Sequence, residues 1–102
     1  MNITGTWTLL SSVASRTWTD AVPISVKKVC VIIIYSTTVF VKTFYPDITP
    51  SGNVTTGGLF YGNNGRGSMF EWNATARKLY LWSVYIDGTD YNSSSTMKVY
   101  YI

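Results

Sequence analysis

Residues 26–35 (VKKVCVIIIY) constrain the fold of this chain more than any other stretch. Five of the seven residues at 29–35 are Val or Ile, and branching at Cβ favours the pleated surface of a strand over a helix. The run from Val29 to Tyr35 is also the longest apolar run in the sequence. It falls well short of the roughly 20 apolar residues that a membrane-crossing helix needs. A strand with no polar alternation is buried on both faces, or has one face in the core and the other in a subunit interface.

The other segments read the same way. Ile3, Gly5, Trp7 and Leu9 alternate with threonines, which is the period of a half-buried strand, and a second, shorter strand is expected over 13–18. Pro23 ends that region, because proline cannot donate to a ladder. Ser36-Thr37 turns the long strand back into a partner over 38–44, and a loop with Pro46, Pro50 and Gly52 fills 45–56. Segments 58–61 and 68–72 flank a glycine- and asparagine-rich turn whose Asn64-Gly65 pair favours positive φ, so a hairpin is expected there. After a turn at 73–76, a strand over 77–86 places Leu79, Leu81, Ser83 and Tyr85 on one face. Tyr80, Trp82, Val84 and Ile86 take the other. Asp87-Gly88 opens a polar loop, and 96–102 closes the chain as an edge or partner-covered strand.

About eight strands in 102 residues make one domain, 1–102, of all-β class. The architecture expected is an antiparallel β-sandwich, with the jelly roll as its best-fitting form. Helix formers are scarce, and 46% of the residues are hydrophobic against 13% charged, the balance of a chain that folds rather than one that stays disordered.

Composition narrows function as well. There is no histidine, which removes the commonest general base and the commonest transition-metal ligand. Neither a catalytic residue nor a cofactor or metal is predicted. Cys30 is the single cysteine, so no internal disulfide forms, and its apolar neighbours point to an inert buried thiol. The net charge of +3 comes from scattered residues without a basic stripe, so nucleic acid is not an expected partner. No basic-then-apolar opening marks a secretory signal peptide, and membrane insertion is not expected. Four sequons, at Asn2, Asn53, Asn73 and Asn92, match what chance yields in a chain so rich in Ser and Thr.

Three acids, Glu71, Asp87 and Asp90, are available for a glycosidase pair, which needs two carboxylates about 5–10 Å apart. Asp87-Gly88 is a turn former first, and surface or turn roles suit all three better. Lys27-Lys28 interrupts an apolar strand, where one lysine points outward and the other snorkels or pairs. Sugar recognition combines flat aromatic rings with planar amide, carboxylate or guanidinium groups. Tyr61, Asn63, Asn64 and Arg66 supply that mixture on one hairpin; Asp90, Tyr91 and Asn92 supply it on a second loop. These seven are the candidate ligand-binding residues. Tyr80, Trp82 and Tyr85 read as core or interface, and the surplus of apolar strand surface points to an oligomer.

The layout of three stretches resembles the small jelly-roll heads of phage tail fibres and baseplate receptor-binding proteins. These are TWTDAVPISVKKVCVIIIYS, GGLFYGNNGRGSMFEW and KLYLWSVYIDGTDYNSSSTMKVYYI, which together cover most of the chain. The resemblance implies a homotrimer made in the bacterial cytoplasm, carried on the virion, and recognising a bacterial surface glycan or other receptor. The family's heads follow a long fibrous shaft, which these 102 residues do not include, so a head of this kind is expected to be either a cut fragment or a separate small subunit. Ile3-Thr4-Gly5-Thr6-Trp7 also resembles the first strand of lipocalin and avidin barrels, without the polar ligand set of an avidin. The alternative reading is a structural assembly subunit, a capsid decoration or tail-tip protein whose loops bind only proteins.

Overall fold

In the computed structural model, which describes residues 6–57 and 65–102, the 29–35 run becomes β2 (Val29–Tyr35) of an eight-stranded sandwich. The other strands are β1 (Thr8–Ala14), β3 (Thr38–Phe44), β4 (Gly52–Gly57), β5 (Arg66–Asn73), β6 (Lys78–Ile86), β7 (Thr89–Asp90) and β8 (Thr96–Tyr101). They form two antiparallel sheets, ordered β1-β8-β2-β3 and β4-β5-β6-β7. The expected all-β sandwich is therefore the fold. Its second sheet is a meander of consecutive strands, whereas in the first sheet β8 lies between β1 and β2.

The core fills the space between the sheets. Val29, Val31 and Ile33 of β2, Phe40 and Phe44 of β3, and Met97 and Val99 of β8 meet Phe70, Trp72, Leu79, Leu81 and Val84 from the second sheet. Phe44 bridges the layers, with ring centroids 5.0 Å from Trp72 and 6.1 Å from Phe70. Trp72, fully buried, satisfies its indole N–H on the carbonyl of Thr49 at 3.0 Å. A buried polar pair, Thr56 on β4 and Ser68 on β5, is self-satisfied by a hydroxyl–hydroxyl hydrogen bond.

Several sequence expectations are corrected. The long strand begins at Val29, so Lys27 and Lys28 do not interrupt it; their amides instead donate to the carbonyl of Ile102. The first strand is shifted to Thr8–Ala14 and absorbs the start of the second expected one. The chain then turns at Ser15-Arg16, with Arg16 at φ 61°, and runs extended to residue 22. The expected loop over 45–56 contains β4, hidden from sequence reading by its glycine and asparagine. Residues 68–72 pair with β4, Ser68 with Thr56 and Trp72 with Gly52; the expected partner 58–61 lies outside the described residues. The last strand is central in its sheet instead of at an edge, paired with β1 on one side and β2 on the other.

Other expectations hold. β2 and β3 form a two-residue hairpin with Tyr35 opposite Thr38, Ser36 taking φ 51°. Asp87 at φ 51° and Gly88 at φ 87° form the tight turn between β6 and β7, as the primed hairpin turns require. Cys30 is buried and unpaired. On β6 the strict alternation fails, because a bulge between Met69 and Phe70 of β5 shifts the register and leaves Trp82 without a partner there. Leu79, Leu81 and Val84 face the core, whereas Tyr80 and Trp82 face out.

The sheet edges are managed differently. β3 is an edge strand, and Lys42 lies on its core-facing side between Phe40 and Phe44, opposite Val31, yet reaches solvent. An inward-pointing charge of this kind discourages a further strand from docking. β6 is instead covered along its length: by β7 and the turn after it at one end, and by the 16–22 segment at the other.

Candidate functional site

Two segments complete the free edge of β6. At one end, the Asp90 carboxylate accepts from the amides of Val84 (3.2 Å) and Asn92 (3.0 Å), and the Tyr91 amide donates to the carbonyl of Val84. The side-chain amide of Asn92 donates to the Trp82 carbonyl at 2.8 Å. At the other end, the amides of Arg16, Thr19 and Val22 donate to the carbonyls of Leu81, Leu79 and Arg77. The buried hydroxyl of Thr19 accepts from the Leu79 amide at 3.0 Å. Segment 16–22 thus runs antiparallel to β6, with Trp18 opposite Tyr80.

The cause of this pairing lies partly in Arg77. Its guanidinium donates to the carbonyls of Val22 (2.9 Å) and Pro23 (3.0 Å) and pairs with Asp47 at 3.2 Å. Val22 and Val26 bury themselves in the core below. Together these contacts hold the segment flat on the sheet edge, where its alternating side chains turn outward.

The result is a cluster of rings on the outer face of the second sheet. Trp18, 40% exposed, lies 4.9 Å from Tyr80 with planes tilted by 50°; Tyr80 lies 4.7 Å from Trp82 with planes tilted by 54°. The Arg16 guanidinium sits 4.8 Å over the Trp82 ring, and the indole N–H of Trp82 donates to Glu71 at 3.0 Å. One ring therefore bridges a cation on its face and an anion at its edge. Donation to the carboxylate makes the indole more electron-rich, and that strengthens its hold on the guanidinium. Trp82 is thus engaged at both its face and its edge, and of the three rings Trp18 is the most exposed.

Asp20 follows Thr19 and Lys78 precedes Leu79, so both lie on the side of the Trp18–Tyr80 bridge away from Arg16 and Trp82. Across the sheet, Glu71 pairs with Tyr80 and with Asn53 of β4, and Asn73 pairs with Lys78. Carboxylate, guanidinium, ammonium and amide groups thus surround the rings.

Of the residues predicted from sequence, Arg66 is exposed at the start of β5, opposite Ile86. It lies at the same end of the sheet as loop 87–92, since the Asp87 amide donates to the Gly65 carbonyl at 2.8 Å. The second predicted group is engaged in structure. Asp90 and Asn92 satisfy the β6 edge, and Tyr91 stacks on Tyr35 with centroids 4.3 Å apart and planes 21° apart. Tyr61, Asn63 and Asn64 lie outside the described residues. Glu71 and Asp90 hold Trp82 and the Val84 amide respectively, and Asp87 forms a turn. Among the described residues, no group of three or more Cys, Asp or Glu side chains is placed to hold a metal ion. Sequence reasoning misses the ring cluster because it puts Trp18 in a strand of its own, and nothing local in the sequence shows that segment 16–22 pairs with β6.

Comparison with protein-family models, curated proteins and solved structures finds no match. The reading of this chain rests on its own residues.

Proposed function

We propose that this chain is a non-enzymatic recognition domain that binds surface carbohydrate, as the head of a phage tail fibre or a similar viral adhesion protein does. The observation that carries the reading is the outward ring cluster of Trp18 and Tyr80, edged by Arg16, Glu71, Asp20 and Lys78. Aromatic side chains are the usual means by which a rigid surface offers a large contact area while losing little conformational entropy. A pyranose presents a C–H face to such a ring and hydroxyls to the polar groups around it. In the viral setting the domain works as a homotrimer on the virion, with a bacterial surface glycan or other receptor as its partner.

The test is a glycan array probed with the folded chain, alongside its mass by light scattering. Discrete saccharide hits and a mass near three times 11.4 kDa are expected. An array without hits from folded protein overturns the carbohydrate reading; a monomer removes the trimeric fibre head and leaves a stand-alone lectin.

A second reading, that of a structural assembly subunit, is favoured by the outer face of the first sheet. There Ile32 and Ile34 lie beside the exposed Val41 and Val39, and Leu9 is exposed on β1. An aliphatic face of this kind suits protein contact. This reading expects Val41→Lys to disrupt particle assembly and Trp18→Ala to leave adsorption to cells unchanged.

A further inference from the structure

The charges around Trp18 and Tyr80 indicate what class of saccharide they receive. Segment 16–22 and β6 pair with Trp18 opposite Tyr80; Arg16 lies over Trp82 on one side of that bridge, and Asp20 and Lys78 adjoin the Thr19–Leu79 hydrogen bonds on the other. Glu71 joins the set through its hydrogen bond to Trp82. Two cations and two anions therefore belong to the segments that carry or adjoin the rings, and their formal charges sum to zero. With no net charge in the set, a free cation or anion gains little by approaching.

The remainder is an apolar ring surface with hydrogen-bonding groups of both kinds at its rim. Arg16 and Lys78 donate; Glu71 and Asp20 accept; Asn53 and Asn73 do both. A neutral sugar presents the complement: C–H bonds on one face, and hydroxyls that donate and accept around it. The groups are also pre-set, because Trp82 fixes Arg16 and Glu71 and the β6 ladder fixes Trp18. Ordering them before the ligand arrives lowers the entropic cost of binding.

We infer that the outer face of β6 and segment 16–22 is a binding site for neutral saccharides, with Trp18 as the stacking ring and Trp82 as a positioning residue. The inference rests on the carbohydrate reading above and adds the place and the ligand class. Binding here owes little to long-range charge, so it is insensitive to salt.

The experiment titrates the full chain with neutral oligosaccharides (cello-, manno- and laminari-hexaose) and with oligogalacturonate as the acidic counterpart, followed by calorimetry. Each titration is run at about 0.1 M and about 1 M salt, where the screening length falls from about 10 Å to about 3 Å. The expected result is binding of at least one neutral hexaose, with affinity changed less than about twofold by salt. Trp18→Ala should weaken it roughly tenfold and Trp18→Phe less, as loss of a stacked ring does. Because Trp18 is partly exposed and the backbone bonds of its segment to β6 do not involve its side chain, both variants keep the native circular dichroism. Trp82→Phe keeps a ring but releases Glu71; it should weaken binding several-fold, and Glu71→Gln should do the same.

Binding of oligogalacturonate alone, or an affinity that collapses in high salt, overturns the neutral class while the carbohydrate reading stands. Saccharide binding undiminished by Trp18→Ala overturns the site and moves recognition to the Arg66 end of the sheet. Failure of every neutral hexaose overturns the inference, and the glycan array then decides the broader reading.

Discussion

The two sheets share one core and turn different chemistry outward. On the first, Ile32, Ile34, Val39 and Val41 sit side by side across β2 and β3, with Lys98 and Thr96 of β8 as their polar neighbours. On the second, Tyr80 and Trp82 are joined by Trp18, which arrives from a loop, and are rimmed by charged groups, of which Arg16 and Glu71 are held on Trp82. Aliphatic side chains impose no direction on what covers them; rings and fixed polar groups do. The first face is thus suited to a broad protein contact and the second to a small, oriented ligand. The edges follow the same division. β3 is left open and guarded by Lys42, while β6 is closed by chain segments, one of which also brings Arg16 and Trp18 to the rings.

The largest effect expected on this contrast comes from Arg77→Ala. It removes the donors that tie Val22 and Pro23 to the sheet, and the stability loss should be about 2–3 kcal/mol, since charged hydrogen bonds carry most of it and the exposed pair with Asp47 little. Denaturant melts would measure it, and a loss under about 0.5 kcal/mol would mean that segment 16–22 is held by its backbone ladder alone. Thr19→Val comes next, at about 1.5 kcal/mol, because the Leu79 amide loses its buried acceptor. Hydrogen exchange at Leu79 should quicken in that variant while exchange in β2 stays slow.

Trp82→Leu should cost about 1 kcal/mol, from the lost indole hydrogen bond and the ring under Arg16. On the opposite face, Val41→Thr should change stability by less than about 0.5 kcal/mol, as for substitutions at exposed positions. A loss above about 2 kcal/mol that grows with protein concentration would show that face to be covered in solution, and would favour the assembly reading. Smallest in stability is Lys42→Val, expected within about 0.5 kcal/mol. Its signature is aggregation: light scattering should rise with time, because the β3 edge loses its inward charge.

Part of this architecture is legible in the sequence and part is not. The β2–β3 hairpin follows from two apolar runs separated by two residues, and the β6–β7 turn from Asp87-Gly88, because such turns depend on neighbours in sequence. The central strand β2 is recognisable from its β-branched composition. The place of β4 is not, since Gly52, Asn53 and Gly57 carry the signature of a loop and only pairing with β5 makes them a strand. Gly57, at φ 89°, is required there for a tertiary reason: a Cβ would collide with the backbone of Arg66 and Gly67.

The candidate site divides in the same way. Asp90, Tyr91 and Asn92 carry chemistry suited to sugars, and the fold uses that chemistry to satisfy the β6 edge and to stack on Tyr35. A side chain's hydrogen-bonding capacity is written in its identity, but its partner is written in the register. By itself the sequence determined an all-β chain with two-sided apolar strands, because propensity and period are local properties of the backbone and side chains. Only the tertiary structure decided that Trp18 would meet Tyr80 and that Arg16 and Glu71 would share Trp82. Those contacts join residues from different elements, and the bulge opposite Met69 and Phe70 separates the outward Trp82 from Val84, which it turns into the core.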